Sequence, residues 1–297
     1  MAAAAPAPAG RWLEFVESID GGLEGNAWTG RADTRFRRPV AVAARDSVLY
    51  VVDEGQELLY AYDRFSGRLS VVRDLRGLVA GEVRDIYVTG DRSIYLADSF
   101  GARVVRLNAS GEVVRIYQDQ LNLRRPVAVA VDERTGDVYV ADGVMDYVLV
   151  FNDAGRLWRS LGERGEGEGR FLNITSVALG PEGVYVTARL ALRGQVLDGS
   201  GAFKYALEKN TVVFPKSVAV DVDGRAYISD FFDNSISIFR QGRLLAKLGG
   251  TGVGPGRFKG IADVSLEAGF LYVADSLNGR IQVFRILTRG RVEPAAH

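Results

Sequence analysis

A tyrosine near the end of a short apolar stretch recurs six times in the 297-residue chain, and this spacing restricts the possible folds more than any other feature. The copies lie 42 to 46 residues apart, at Tyr50, Tyr95, Tyr139, Tyr185, Tyr227 and Tyr272. Five copies end in Asp, as in Leu49–Asp53, whereas the fourth, Val184–Ala188, ends in Ala. Self-similarity at a period of about 20 to 50 residues indicates a repeat architecture.

Each repeat contains four short segments with the pattern of strands and no helical periodicity between them. A first strand lies about ten residues before the tyrosine, as at Val127–Val131, a third follows the Asp, as at Tyr147–Phe151, and a fourth follows a turn, as at Arg243–Leu248. Four strands in about 45 residues are typical of a β-propeller blade. The sequence therefore predicts an all-β, six-bladed β-propeller with four antiparallel strands per blade.

The two ends of the chain are predicted to share one blade. The sixth repeat has only three strands, whereas residues 11–18 alternate like a strand and precede a Gly-rich loop at 21–30. We expect residues 11–18 to be the fourth strand of the last blade, which closes the ring and removes an exposed sheet edge. The predicted organisation is a flexible Ala/Pro tail over 1–10, one propeller over 11–287 and a C-terminal tail over 288–297.

The turn that follows the last tyrosine resembles the NHL repeat. Residues Asp275–Phe284 (DSLNGRIQVF) carry the resemblance, 98–104 and 230–236 are weaker copies, and the first, third and fourth repeats depart further. The resemblance covers about residues 12–286 of the chain. It implies a six-bladed propeller of a kind that commonly serves as a binding module and in some members binds RNA.

Composition argues against several chemistries. The single histidine, His297, is the terminal residue, so neither a Ser-His-Asp triad nor a propeller lyase that uses several histidines is available. The absence of cysteine removes disulfides and thiolate chemistry. Lys+Arg 37 against Asp+Glu 37 gives a net charge of +0, without the basic excess of a general nucleic-acid binder. We therefore predict no catalytic residues and expect a binding protein rather than an enzyme.

Compartment is the least determined property. No stretch approaches the roughly 18–20 apolar residues that a membrane helix needs. The Ala/Pro-rich start lacks the basic region and longer apolar run of a signal peptide. We interpret it as the tether of a mature exported protein, which predicts a periplasmic or extracellular location, and a frayed tail on a cytoplasmic protein is the alternative.

Two repeated motifs are interpreted as structural. The Gly-rich stretches at 162–169 and 249–256 lack the helix or βαβ context of a phosphate-binding loop, so we predict that they cross from one blade to the next. The strand-end aspartates are expected to cap turns by accepting backbone N–H bonds rather than to form a metal ring. These residues are Asp53, Asp98, Asp142, Asp230 and Asp275.

One residue of each blade is expected to face the central channel near the start of the first strand. The matching positions are Ala41, Asp85, Ala128, Ser176, Ser217 and Asp263. Their oxygen atoms are of the kind that Ca²⁺ prefers, which makes Asp85 and Asp263 weak metal candidates with Asn173 one step outside. We favour the alternative of a water-filled channel with a few polar walls and no cofactor.

Basic residues lie just before these channel positions in five of the six repeats. They are Arg37, Arg38, Arg84, Arg124, Arg125, Lys216 and Lys259. Together they predict a basic rim around one mouth of the channel, which would attract an acidic partner. Arginine also binds carboxylates and phosphates through two parallel hydrogen bonds. The alternative is that Glu166, Glu168 or Asp119 neutralises part of the rim.

The predicted function is a non-catalytic scaffold whose basic rim binds an acidic protein, a polysaccharide or another polyanion. A Ca²⁺-dependent hydrolase of the lactonase or esterase type is the first alternative. RNA binding by the rim is the second, and nucleic acid is not the expected partner because the rim lacks interleaved aromatic residues. The fourth repeat departs from the others at 188–195 and 205–214, which we interpret as drift, with a partner surface as the alternative.

Overall fold

The computed structural model describes residues 12–21, 23–24 and 35–287, which form six sheets. Each sheet has four antiparallel strands, and two of the sheets carry an additional two-residue parallel strand. The six-bladed propeller is therefore confirmed. The predicted tails over 1–10 and 288–297 lie outside the described residues, as does Arg11.

The strands follow one another from the inside to the outside of each blade. Blade 1 comprises β3 (Pro39–Arg45), β4 (Val48–Asp53), β5 (Leu58–Asp63) and β6 (Arg68–Asp74), with β2 (Leu23–Glu24) parallel to β6. Blade 2 comprises β7 (Val83–Val88), β8 (Ile94–Asp98), β9 (Arg103–Leu107) and β10 (Val113–Tyr117). Blade 3 comprises β11 (Pro126–Asp132), β12 (Asp137–Asp142), β13 (Tyr147–Phe151) and β14 (Leu157–Leu161). Blade 4 comprises β16 (Arg170–Gly180), β17 (Gly183–Leu190), β18 (Gly194–Leu197) and β19 (Phe203–Ala206), with β15 (Glu163–Arg164) parallel to β16. Blade 5 comprises β20 (Pro215–Val220), β21 (Arg225–Asp230), β22 (Ser235–Arg240) and β23 (Arg243–Gly249). Blade 6 comprises β24 (Ile261–Glu267), β25 (Phe270–Asp275), β26 (Arg280–Ile286) and β1 (Leu13–Ile19), with a short 3₁₀ turn at Ser276–Asn278.

The ring is closed by the first strand of the chain, as expected. β1 pairs antiparallel with β26, from Leu13 opposite Ile286 to Ile19 opposite Ile281. The innermost strands β3, β7, β11, β16, β20 and β24 contact one another in sequence, and β24 contacts β3 again. These six strands enclose the central channel.

The core consists of six buried apolar clusters, each between two successive blades. The repeated tyrosines lie in these clusters and are at most 5% exposed. Alternate residues of a strand point to opposite faces, so the nearly continuous apolar second strands fit a sheet that is covered on both faces. The repeat pattern therefore reports blade-to-blade packing.

The Gly-rich stretches are crossovers between blades, as predicted. Residues 162–169 lead from β14 towards β16, and 249–256 lead from β23 towards β24. A buried glutamine side chain holds each loop: Gln195 Oε1 accepts a bond from Gly169 N at 2.8 Å, and Gln282 Oε1 accepts one from Gly256 N at 2.9 Å. The loop at 21–30 lies mostly outside the described residues.

Candidate functional site

The strand-end aspartates organise one face of the disc, which we call the crossover face. This face carries the turns that follow Asp53, Asp98, Asp142, Ala188, Asp230 and Asp275, together with the crossovers between blades. All five aspartates are completely buried. Each accepts backbone N–H bonds from the chain that enters its own blade, which is the capping role expected from the sequence.

Blade 4 is held differently because Ala188 cannot cap its entry. Asp146, in the β12–β13 turn of blade 3, accepts the N–H of Ile174 at 3.0 Å. Burial raises the pKa of Asp146, while the nearby guanidinium of Arg164 opposes that shift. A carboxylate of the preceding blade thus replaces the missing one.

The capping bonds place the predicted basic residues around the mouth of the channel. Arg37 and Arg38 donate their backbone N–H groups to Asp53, and Arg124 and Arg125 donate theirs to Asp142. The side chains of these four arginines are exposed on the crossover face, as is that of Lys259. These five exposed cations therefore lie on one face of the disc.

Two acidic residues that the sequence interpretation did not consider neutralise part of the rim. Arg38 pairs with Glu54 at 3.3 Å, and Arg84 pairs with Glu82 at 2.7 Å. Within the described residues, the expected partners Glu166, Glu168 and Asp119 form no ion pair with the rim. Four of the seven cations, namely Arg124, Arg125, Lys216 and Lys259, form no salt bridge with any described residue.

A β-bulge in each innermost strand adds a second ring of side chains to the channel mouth. The bulges fall at equivalent positions, just before Ala41, Ala128, Ser176, Ser217 and Asp263 and at the start of β7. A bulge re-aims a side chain locally. The residues at these positions are Val40, Arg84, Val127, Thr175, Lys216 and Ala262. Four of them line the cavity at the mouth, and no sequence signal marked them as a set.

This mouth cavity has a volume of about 250 Å³ and mixes charged and apolar walls. Arg84 and Lys216 lie inside it, with Phe231 and Leu277 on its wall. Burial lowers the pKa of Lys216, and the positive charge of Arg84 lowers it further, while Asp263 and Asp85 act in the opposite direction. An ammonium held in this way gains stability when an anionic group approaches it.

Below the mouth, the polar channel residues join neighbouring blades. Asp85 Oδ2 accepts the N–H of Val129 at 2.8 Å, and Asp263 Oδ2 accepts that of Val42 at 2.8 Å. Ser217 Oγ donates to Asp263 Oδ1 at 2.6 Å. The structure therefore brings Asp85, Ser176, Ser217 and Asp263 into one ring, in which each oxygen side chain accepts a backbone N–H of the next blade.

The two channel carboxyls are easier to protonate than ordinary aspartates. Burial raises the pKa of Asp263 to about 6. Burial also raises the pKa of Asp85 well above its usual value, and the nearby charge of Asp263 adds to that shift. Both carboxyl groups therefore take up a proton at a higher pH than an ordinary aspartate does.

Hydrogen bonds engage the oxygens of both weak metal candidates in the channel. Both oxygens of Asp85 and of Asp263 already accept N–H or O–H bonds, and the positive charge of Lys216 acts on both. Asn173, in blade 4, is exposed and has a backbone φ of 57°. Within residues 12–21, 23–24 and 35–287, no group of three His, Cys, Asp or Glu side chains is placed to hold a metal.

The opposite mouth of the channel is occupied by an ion-pair cluster. Arg45 pairs with Glu133 and lies 4.0 Å from Glu267. Tyr87 donates its hydroxyl to Glu133 at 3.3 Å. One arginine thus lies between two glutamates, so this mouth carries a net negative charge, which distinguishes it from the basic crossover face.

Exposed apolar side chains are concentrated on the crossover face. Of the 18 large exposed hydrophobic residues described, nine lie in its turns and crossovers, seven lie on outermost strands and two, Phe65 and Val222, lie on the opposite face. The nine are Phe100, Leu121, Val144, Leu190, Val213, Phe231, Phe232, Val253 and Leu277. They lie on the same face as the basic rim, and two of them, Phe231 and Leu277, line the mouth cavity together with Arg84 and Lys216.

Comparison with solved structures shows the fold. A streptogramin B lyase superposes with a TM-score of 0.67 at 12% identity, covering 95% of this chain and 100% of that one. A virginiamycin B lyase from Staphylococcus aureus gives 0.64 at 11%, covering 92% and 100%. An auxiliary nutrient binding protein from Bacteroides thetaiotaomicron gives 0.65 at 13%, covering 91% and 76%. This chain shares their propeller fold.

No protein-family model matches the chain, and no curated protein matches it. In the part of the chain that the structure describes, no helix is long and apolar enough to cross a membrane. The side chains of the crossover face therefore carry the information on function.

Proposed function

We propose that this protein is a non-catalytic binding module whose crossover face recognises an acidic protein segment through the basic rim. The observation that carries this proposal is the combination of two features on one face. Rim cations without salt bridges lie at the channel mouth, and nine exposed apolar side chains lie on the same face. Charged groups at such a surface guide association, and apolar side chains supply contact area.

The chemistry of the mouth supports binding more than catalysis. The carboxyl groups of the channel hold neighbouring blades together, and the chain has a single histidine at its last position. Among proteins of the same fold, one is named a nutrient binding protein and two are named lyases, so the fold serves both roles. The resemblance of Asp275–Phe284 to the NHL repeat stays a prediction, and it agrees with a binding role.

The calcium-dependent hydrolase and the RNA-binding module remain alternatives with less support. The first needs oxygen ligands that are free to converge on an ion, and those of Asp85 and Asp263 are engaged. The second needs aromatic side chains spaced between cations, whereas six of the nine exposed apolar residues on the crossover face are aliphatic and three are aromatic. A periplasmic or extracellular location is part of the proposal and rests on the N-terminal segment alone.

The test reverses three exposed rim cations that form no salt bridge, in the variant Arg124→Glu/Arg125→Glu/Lys259→Glu. The matched control, Arg156→Glu/Arg240→Glu/Arg243→Glu, changes three exposed cations on the opposite face. Binding of a fluorescent acidic peptide, of heparin and of a single-stranded RNA is measured by anisotropy at two salt concentrations.

We expect the acidic peptide to bind in a salt-dependent manner, and the rim variant to weaken its affinity by roughly tenfold or more. The control variant should bind as the wild type does. Equal binding by both variants would refute the proposal. Tighter binding of the RNA than of the peptide would favour the RNA alternative, and calcium-dependent ester hydrolysis would favour the enzyme.

A further inference from the structure

A cavity of about 440 Å³ opens between blades 4 and 5, and we call it the blade-4 pocket. It lies outside the channel and is lined by the two segments in which the fourth repeat departs from the others. These are the turn after Ala188 and the crossover that leads from β19 to β20. Its lining residues from these segments and their neighbours are Glu166, Gly167, Ala191 to Gly194, Leu207 to Val212, Pro215 and Ile228.

At the pocket, the outer segment of blade 4 turns towards blade 5. Leu207 still donates its N–H to the carbonyl of Gly194 in its own blade at 2.9 Å, and Glu208 then donates its N–H to the carbonyl of Gly242 in blade 5 at 2.7 Å. In blade 1, pairing continues to Asp74 opposite Leu58. The corresponding cavity of blade 1 has a volume of only about 140 Å³.

Packing beside the pocket is correspondingly thin. The buried cluster between blades 4 and 5 contains seven residues, whereas the other five clusters contain 11 to 14. Two independent departures in the sequence therefore open the same space. A volume of about 440 Å³ lies within the range of about 300 to 1,000 Å³ that small-molecule sites occupy.

The walls of the pocket specify the chemistry of its occupant. Leu192, Leu207, Val212, Pro215 and Ile228 supply apolar surface. A lining of apolar side chains with a few polar groups is typical of pockets that bind small molecules. The occupant should therefore carry an apolar body.

Charges of both signs complete the lining. The side chains of Arg193, Lys209 and Glu166 form no hydrogen bond or ion pair with any residue in the described ranges. Glu208 is already engaged, since its carboxylate accepts the N–H of Leu244 at 3.2 Å. Two cations and one carboxylate thus remain available to a ligand that carries both an anionic and a cationic group.

We propose that the blade-4 pocket binds a short apolar peptide with free termini. Arg193 and Lys209 receive the terminal carboxylate, Glu166 receives the terminal ammonium, and the apolar side chains of the peptide lie against Leu192 and Leu207. The volume suits roughly two or three residues. This site is separate from the basic rim and does not depend on the function proposed for it.

The test uses tri-leucine in three forms: with free termini, N-acetylated, and C-amidated. Calorimetry on the full-length protein should show saturable binding of the free form at one site. Either capped form should bind roughly tenfold more weakly, because a charge-assisted contact worth about 1.5 kcal/mol is lost. The absence of saturable binding by the free form, or equal binding of all three forms, would overturn the proposal.

Paired variants assign the two ends of the peptide. Arg193→Ala/Lys209→Ala should weaken binding of the free peptide and leave the affinity for the amidated peptide unchanged. Glu166→Ala should weaken binding of the free peptide and leave the affinity for the acetylated peptide unchanged. These side chains are exposed or half-buried, so the variants should fold. Variants that weaken all forms equally, or none, would refute the assignment.

A steric variant and a rim variant separate this site from the other. Leu192→Trp should fill the pocket and abolish binding, provided that its melting curve matches the wild type. The rim variant Arg124→Glu/Arg125→Glu/Lys259→Glu should bind tri-leucine with unchanged affinity. Loss of tri-leucine binding in the rim variant would place the peptide at the channel mouth and overturn the proposal.

Discussion

Replacing Asp142 by alanine should be among the most destabilising single changes on the crossover face. Its carboxylate accepts four backbone N–H bonds at 2.5 to 2.9 Å, from Arg124, Arg125, Val144 and Met145. Hydrogen bonds to a charged acceptor contribute about 1.5 to 3 kcal/mol each when buried. Because three of the four donor residues are exposed, water recovers part of each bond. We therefore expect a loss of about 4 kcal/mol.

Urea unfolding followed by tryptophan fluorescence measures this loss as a lower midpoint at unchanged slope. Asp142→Asn should have an intermediate effect, because its oxygen keeps one pair of donors while its NH₂ group faces the other pair. The control is Asp137→Ala, at the other end of β12, where the side chain has no partner among the described residues. A cost for Asp142→Ala no larger than that of the control would refute the capping argument.

Three further perturbations test separate parts of the structure. Gly183→Ala should destabilise the protein strongly, because its φ is 134° and a Cβ would lie 2.0 Å from the carbonyl oxygen of Leu197, whereas Gly199→Ala meets no atom within 4 Å and should be nearly neutral in a melting experiment. Because the pKa of Asp263 is raised to about 6 in the folded state, the folded protein binds more protons than the unfolded chain between about pH 4 and pH 6. The wild type should therefore lose stability relative to Asp263→Asn as the pH rises through that window, by about 3 kcal/mol in urea titrations. Deleting β1 should expose the edge of β26, and light scattering should then report self-association that the full chain does not show.

The architecture was predictable because the repeat is expressed in buried residues. The tyrosines, the strands around them and the capping aspartates recur at one spacing, so a single register places all six blades and the closing strand. The ring of Asp85, Ser176, Ser217 and Asp263 followed from the same register. Local patterns that repeat six times carry far more information than any one copy.

The remaining features depend on contacts between repeats. Glu54 and Glu82 neutralise Arg38 and Arg84 across a turn or within an entry segment, and no periodic signal distinguishes them from solvated acids. A lone exposed residue such as Phe100 gains meaning only when the turns of the other blades are placed on the same face.

The departures of the fourth repeat, interpreted as drift, converge on one cavity. The walls of that cavity come from segments that are far apart in the sequence, so no local pattern predicts it. When two segments of the same repeat depart from the other copies, they should therefore be considered together, because they are neighbours in space.

Closure of the ring by β1 also has a kinetic consequence. The partner of Leu13 is Ile286, so the first strand to be synthesised waits for the last one. Contacts between such distant segments form slowly, because the intervening chain must first be brought together. During synthesis, blades 1 to 5 emerge before β24, β25 and β26 of the sixth blade. Until then β1 has no partner strand, and the nascent protein holds an unclosed arc of blades. Completion of the disc is therefore a late event, which occurs only when Ile286 has left the ribosome.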